Sequence, residues 1–351
     1  MPIVEDHNQT SDAELSARFN QHFSLGGSSK LVDAEGNMWY LSQDRELANF
    51  VALFEANIGL PMGRVFHNSA ADSLELILES VDGKNFGFFA KRNRLKYLQS
   101  LWEVYGWGDF NIKQNSITTE VFPAVISGFY LSVLEQYFGK RTKIQWRQLQ
   151  DNLIICDVSD LETSLTKPPP LPNMPWATTE QHNDSVYARE IERRSIGWGI
   201  DGKISYVLPC DLINRIIYNA GGYTDTYNKS LGQYWRLNGI DNRYVTSTVC
   251  ILQSLKQLFM TSDIYVFISE TNNWSKIIDS HLKPTGLGSI KHVNSSGNVD
   301  EFSVEINQTA ILTIGKLAGL WERANGKQSI CSVDLTSTEF KVRFESLLSY
   351  N

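Results

Sequence analysis

The chain has no apolar run approaching the roughly 20 residues that a bilayer-spanning helix needs, so no transmembrane segment is expected. Its N-terminus, MPIVEDHNQTSDAE, lacks the basic start and apolar centre of a secretory leader. Cysteine is scarce: Cys156, Cys210, Cys250 and Cys331 lie far apart and none forms a CxxC pair. That spacing excludes a zinc ribbon and a dithiol redox motif, and predicts buried, reduced thiols in a reducing compartment. Together these absences predict a cytoplasmic protein, in which the sequon Asn228-Lys229-Ser230 carries no meaning. Positive charge is not in excess either. Lys and Arg number 32 against 39 Asp and Glu, for a net charge of -7. This balance favours solubility and argues against a general nucleic-acid binder.

The common catalytic signatures are also missing. No GxSxG nucleophile elbow and no HExxH zinc helix occur. The six histidines, His7, His22, His67, His182, His281 and His292, never fall at i, i+4 or in a short ligand cluster. A phosphate loop needs GxxxxGK[ST] between a strand and a helix, so that backbone N–H groups face the phosphates. Gly139-Lys140 and Gly326-Lys327 follow predicted helices, precede predicted strands, and are succeeded by Arg141 and Gln328. Gly26 to Lys30 fails the same spacing. No catalytic residue, metal site or cofactor is predicted, and the chain reads as non-enzymatic.

What is present is an ordinary globular composition with a repeated order of elements. At 351 residues and 42% hydrophobic content, the chain can bury two cores. A tail to about residue 12 precedes a short helix through Phe23, opened by a capping box at Ser11 to Glu14. NMWYLS, residues 37–42, predicts a strand, and Asp44 a cap for a helix through Ile58. LELILESV reads as a helix end or a strand, FGFFA as a strand after a turn at Asp82-Gly83, and Arg94 to Tyr105 as a helix ending at Gly106-Trp107-Gly108. FNIKQ alternates like a strand. VISGFYLSVLEQYF, residues 125–138, is the clearest helix, with Gly139 placed as a left-handed C-cap and two strands after it. The basic run KRNRLK, Lys91 to Lys96, reads as a solvated helix face, with a phosphate contact as the alternative.

KPPPLPNMP, Lys167 to Pro175, holds five of the ten prolines and reads as a semi-rigid linker. Beyond it the order recurs. DGKISYVLPCDLINRII echoes EGNMWYLSQDRELANFV. Trp274 to Leu282 predicts a helix before Gly286-Leu287-Gly288, SIKHV and EFSVEI predict strands, and LTIGKLAGLWERANGK matches VISGFYLSVLEQYFGK at four of sixteen positions. These are Gly128/Gly315, Glu135/Glu322, Gly139/Gly326 and Lys140/Lys327, with SICSVDL and EFKVRFES closing the second copy. The spacing between copies grows from 166 at Gly36/Gly202 to 180 at Gly106/Gly286 and 187 at Gly139/Gly326, so the second copy carries an insertion, expected within residues 230–271. A period this long means two similar domains, not a solenoid. The expected fold is α+β: a tail and short helix at 1–30, a first domain at 31–162, a linker at 163–180 and a second domain at 181–351. Each domain is expected to pack an antiparallel sheet with helices.

Leu101-Trp102-Glu103-Val104-Tyr105-Gly106-Trp107-Gly108, then Ser127-Gly128-Phe129-Tyr130 through Gly139-Lys140, resemble the V4R (4-vinyl reductase) domain, distantly related in fold to subunits of the TRAPP tethering complex. The resemblance covers roughly Asn37 to Val158 and, more faintly, Gly202 to Phe344. It implies a domain that encloses a small apolar ligand or serves in assembly, and that pairs with a second copy, here within one bacterial chain. Zinc-carrying relatives cluster cysteines near the last helix; Cys156 and Cys331 stand singly, so the resemblance carries no metal here. Large aromatics crowd the first copy, and Trp102, Tyr105, Trp107, Phe122, Phe129 and Tyr130 are the candidate ligand-binding residues, with Phe110 beside them. Core or domain interface is the competing reading for the same residues. Tyr218, Tyr223, Tyr227, Tyr234 and Trp235 form a second aromatic group. Glu135 and Glu322 either form an acid pair or order their helix ends. The function expected is a tandem adaptor presenting an aromatic-rich surface to protein partners; the alternative is a sensor of an apolar ligand. Neither nucleic acid nor membrane insertion is expected.

Overall fold

A computed structural model describes residues 11–25, 29–82, 86–178, 188–223, 225–261 and 274–347. The expected tail (residues 1–10) and Gly83 of the expected turn lie outside these. The described chain is mixed α+β, with nine α-helices and three sheets.

The first part runs α1 (Ala13–His22), β1 (Phe23–Leu25), β2 (Leu31–Asp33), β3 (Met38–Gln43), α2 (Glu46–Ile58), α3 (Gly63–Asp82), α4 (Ala90–Tyr105), β4 (Asp109–Asn111), β5 (Ser116–Thr118), α5 (Pro123–Phe138), β6 (Lys140–Gln150) and β7 (Leu153–Ser164). The second runs β8 (Glu192–Arg193), β9 (Trp198–Ile200), β10 (Lys203–Pro209), α6 (Asp211–Ala220), β11 (Trp235–Asn238), α7 (Asn242–Thr261), α8 (Trp274–His281), β12 (Ile290–Ser296), β13 (Val299–Glu305), α9 (Ala310–Asn325), β14 (Ser329–Leu335) and β15 (Glu339–Ser346).

Several local expectations shift. The first helix is capped by Asp12, whose carboxylate accepts from the Leu15 N–H at 2.9 Å, not by Ser11. Asp44 sits at φ +48° and leaves the cap position of α2 to Arg45. LELILESV belongs wholly to α3. FGFFA is no strand: Gly87–Phe89 form a single 3-10 turn that runs into α4. Without a partner strand to pair with, consecutive aromatics there do not make a sheet. Gly106, Gly139 and Gly326 all end helices with positive φ, as their positions predict. The proline run is pinned at its far end. Trp176 is buried and donates its Nε1–H to Asn214 Oδ1 on α6 at 3.0 Å, and the Pro169 carbonyl accepts from Arg215.

The sheets differ from the expectation of one per domain. The strand order β1-β2-β3-β10-β9-β8 joins both parts of the chain through the antiparallel pair β3–β10. In it Gln43 lies opposite Ser205, Leu41 opposite Val207 and Trp39 opposite Pro209. Most residues of β3 and the second half of β10 are buried on both faces, so these strands read as continuous apolar runs. The other sheets are β4-β5-β7-β6, wholly antiparallel, and β11-β14-β15-β13-β12, in which β11 joins β14 in parallel.

Helices pack across as well as within the parts. α3 lies on α5 and α7 on α9, while α2 crosses to α7 and α6 crosses to α3. The crossings are close where the glycines fall. A Cβ at Gly128 would lie 2.2 Å from the His67 carbonyl oxygen of α3, and one at Gly315 would lie 2.6 Å from Leu255 Cβ of α7. Neither atom yields by a rotamer change, since Leu255 Cβ is fixed to its own backbone, but the overlap at Gly128 is the deeper of the two. Gly128→Ala should therefore destabilise by about 3 kcal/mol or more and Gly315→Ala by about 1–2 kcal/mol. Denaturant unfolding checks the order; equal losses would contradict it.

Candidate functional site

The sequence-predicted aromatics are brought together as packed core. Trp102 and Tyr105 come from the last turn of α4, Trp107 and Phe110 from the turn and strand after it, Phe129 and Tyr130 from α5. Trp107 stacks on Phe129 with ring centres 4.1 Å apart, meets Trp102 edge-on at 5.2 Å and Tyr105 at 4.7 Å. Phe110 bridges Trp102 at 4.9 Å and Tyr130 at 5.8 Å. Phe122 stands apart, half-buried against Phe66 at 6.4 Å. Burial raises the Tyr105 phenol well above its ordinary value, and the Tyr130 phenol likewise, so both stay neutral.

The space beside this cluster is about 10 Å³, lined by Leu74, Leu78, Leu98, Leu101, Val133, Trp102, Tyr105 and Trp107. That is room for about one water in an apolar lining. Outside it, an open cleft of about 450 Å³ runs between α1 and α4, lined among others by Glu14, Arg18, Lys96, Gln99, Glu103 and Asp109. Arg18 spans the cleft to Glu103 at 2.6 Å, and Arg193 joins Glu103 to Asp12. Trp102 lines both spaces and forms the wall between them.

Sequence reasoning missed the partner of the GWG turn. Residues 197–199 repeat the motif as Gly197-Trp198-Gly199, and the two turns interlock. Trp107 donates its Nε1–H to the Val207 carbonyl of β10 at 2.8 Å, while Trp198 donates to the carbonyls of Glu103 and Val104 at 3.1 and 3.2 Å. Gly106, at φ +79°, lies so close that a Cβ would sit 2.7 Å from the Trp198 ring and 2.8 Å from the Ser205 carbonyl oxygen. The signal that could have found this was the repeated tripeptide itself. Gly286 makes the corresponding contact elsewhere: at φ +85°, its Cβ would lie 3.0 Å from the Trp39 carbonyl oxygen of β3.

The recurrent glutamates do not form an acid pair; each orders its own helix end. Glu135 Oε1 accepts from the Thr142 N–H at 2.9 Å, and Glu322 Oε1 from the Ser329 N–H at 2.7 Å. In both, a buried carboxylate ties the last turn of a helix to the strand that follows it, seven residues on. Each is matched by a cation, Arg141 at 2.8 Å from Glu135 and Lys256 at 2.9 Å from Glu322. Desolvation raises the Glu135 carboxyl despite these bonds. Lys140 pairs with Asp160 on β7, not with the end of its helix.

His67 and Ser127 approach to 2.9 Å, a spacing suited to a base and its nucleophile. Ser127, however, is fully buried and donates to the Ala124 carbonyl at 2.9 Å. His67 stacks on Trp146 at 4.4 Å, with the Arg64 guanidinium 4.8 Å from that ring. Burial, aided by Arg64, pushes the His67 imidazole down to about 4. The pair is a core contact. All four cysteines are buried without disulfides, and burial holds their thiols protonated, Cys156, Cys250 and Cys331 at about 12. Among the described residues, no group of three or more His, Cys, Asp or Glu comes together to hold a metal ion.

Two outcomes follow. Between pH about 6.5 and 4 the unfolded chain binds a proton at His67 that the native state refuses, so His67 makes stability fall as pH falls through this window. The loss is on the order of 3 kcal/mol, and His67→Gln should flatten the slope of unfolding free energy against pH there; an unchanged slope would refute it. Glu322→Ala should cost about 3–5 kcal/mol by stranding the buried Lys256 ammonium, and Lys256→Met in the same chain should recover part of it in thermal unfolding. Comparison with protein-family models, with curated proteins and with solved structures yields no match for this chain.

Proposed function

We propose that the chain is a non-enzymatic adaptor or assembly protein, built from two V4R-like domains related by internal duplication and paired within one chain as a pseudo-dimer. One observation carries this reading. Gly106 rests on the carbonyl of Ser205 and Gly286 on that of Trp39, and Ser205 lies 166 positions beyond Trp39, the spacing of Gly36 and Gly202. A two-fold relation between halves requires this kind of exchange. The β3–β10 register obeys it too: Leu41 faces Val207, again 166 positions on, so the axis passes through that pair.

Other contacts support the same relation. α2 crosses to α7 as α6 crosses to α3, and each crossing carries an asparagine on a serine: Asn57 to Ser254 and Asn219 to Ser69, both at 2.9 Å. Three of the four identical pairs have matching roles, in the two glycine crossings, the two carboxylate ties and the two helix ends, while Lys140 pairs with Asp160 and Lys327 with Asn298. Most of the extra length falls where α6 and α7 are joined by residues 221–241, against 59–62 between α2 and α3, and it contributes β11. The halves depart from each other at Phe129, stacked on Trp107; the position 187 residues on is Lys316, which bonds Glu46 at 2.6 Å.

A filled interior and an exchanged interface suit a protein whose function is to hold a shape for others. The aromatic surface offered to partners is then Tyr218 and Tyr223, 52% and 47% exposed, beside Tyr244 and Arg243. Tyrosines of this kind anchor protein contacts. The alternative, a sensor of an apolar ligand, is favoured by the apolar void beside Trp102, which a ligand would enlarge by displacing that ring from the cleft side. Residues 1–178 and 179–351, made separately, should each fail to give a cooperative thermal transition and should recover one when co-expressed. Two independently folding halves would refute the pairing. A protein retained on the immobilised full chain should be lost with Tyr218→Ser/Tyr223→Ser; retention would place the contact elsewhere.

A further inference from the structure

The residues that lead into α4, from Phe86 on, carry an unusual surface. Phe88 is 104% exposed and Phe89 70%, and they belong to seven consecutive exposed residues, Gly87 to Asn93. All seven are exposed, and among the described residues the Phe88 and Phe89 rings are the most open of the large apolar side chains, a knob and not the lining of a groove. Two bare phenylalanines in succession cost solvation free energy that a soluble surface ordinarily avoids.

The surroundings of the knob are basic. From Gly83 to Trp102 the sequence holds no Asp or Glu, although the whole chain carries a net charge of -7. Lys91, Arg92 and Lys96 are exposed. Lys91 lies 4.6 Å from the Tyr137 ring and 5.3 Å from the Phe138 ring, and Arg94 lies 5.5 Å from the Phe86 ring while donating to the Gln136 carbonyl at 3.0 Å. Lys91 and Arg94 thus lie on the rings of Tyr137, Phe138 and Phe86, and Phe88 and Phe89 stand exposed beside these cations.

We infer that this knob is a peripheral docking site for an anionic lipid surface, with Phe88 and Phe89 entering the headgroup–acyl boundary and Lys91, Arg92 and Lys96 meeting lipid phosphates and carboxylates. Charge complementarity commits the site to an acidic partner. Two phenylalanines out in solvent, with neighbouring cations, favour a bilayer over single-stranded nucleic acid, whose bases stack in a groove. Interfacial anchoring of this kind needs an apolar tip and neighbouring cations, and no membrane-spanning segment. None among the described helices is long and apolar enough to span a membrane.

The test is co-sedimentation of the full chain with phosphatidylcholine vesicles, with and without phosphatidylserine, at about 0.1 and about 0.5 M salt. Binding should require phosphatidylserine and weaken at the higher salt. Phe88→Ser/Phe89→Ser should reduce partitioning at least about tenfold, and Lys91→Gln or Arg92→Gln about fivefold each. These side chains make no core contact, and an unchanged thermal transition verifies that the variants remain folded. Equal binding to neutral vesicles, or unchanged binding by the double phenylalanine variant, would overturn the proposal. So would absence of vesicle binding, with single-stranded oligonucleotide binding or self-association lost in Phe88→Ser/Phe89→Ser.

Discussion

The pairing of β3 with β10 is the constraint on which the rest of the structure depends. Each strand is buried on both faces over most of its length, so its backbone groups can be satisfied only by neighbouring strands. β3 has β2 on one side and β10 on the other; β10 has β9 on its far side. Separating the two parts of the chain would leave a row of N–H and C=O groups unpaired along an apolar edge, each costing about 1–3 kcal/mol if it stayed buried. The pairing also sets where everything else lies. With Leu41 opposite Val207, α2 and α6 leave the sheet from opposite ends of the pair and are brought over α7 and α3.

The GWG turns lock that arrangement from outside the sheet. Gly106 has no side chain because the Trp198 ring and the Ser205 carbonyl occupy the space, and Trp107 and Trp198 each spend their one donor on a carbonyl from the other part of the chain. An indole buried without that bond would lose about 1–3 kcal/mol. The aromatic cluster behind Trp107 is therefore continuous from α5 through the turn to β10. Its rings are filled against one another, which accounts for a void of only about 10 Å³ where an apolar pocket was a sequence-based expectation.

The buried charges follow the same logic at smaller scale. Glu135 and Glu322 sit in places that water cannot reach, and each is kept by a backbone N–H and a cation together. Neither contact alone would offset desolvation of a carboxylate. Lys316, itself buried, reaches the half-buried Glu46 and joins α9 to α2. By contrast, among the described residues Phe88 and Phe89 are left exposed beside Lys91 and Arg92.

The sequence by itself determined the elements whose cause is local. Helix α5 with its Gly139 stop and the strand pairs after each Gly-Lys were legible, because periodicity and capping act over a few residues. Even there, competition between adjacent caps moved the start of α1 from Ser11 to Asp12, and FGFFA entered a helical start because no strand was within reach to pair it. The candidate aromatics were legible as a group, but whether they line a pocket or fill a core depends on how tightly elements far apart in sequence close around them. Only the tertiary structure decided that β3 would pair with β10 and that Trp198 would meet Gly106, since these contacts join residues roughly 90 to 170 positions apart. It also decided that two phenylalanines would be left bare, because exposure is a property of what fails to pack against a residue, and no local pattern records that.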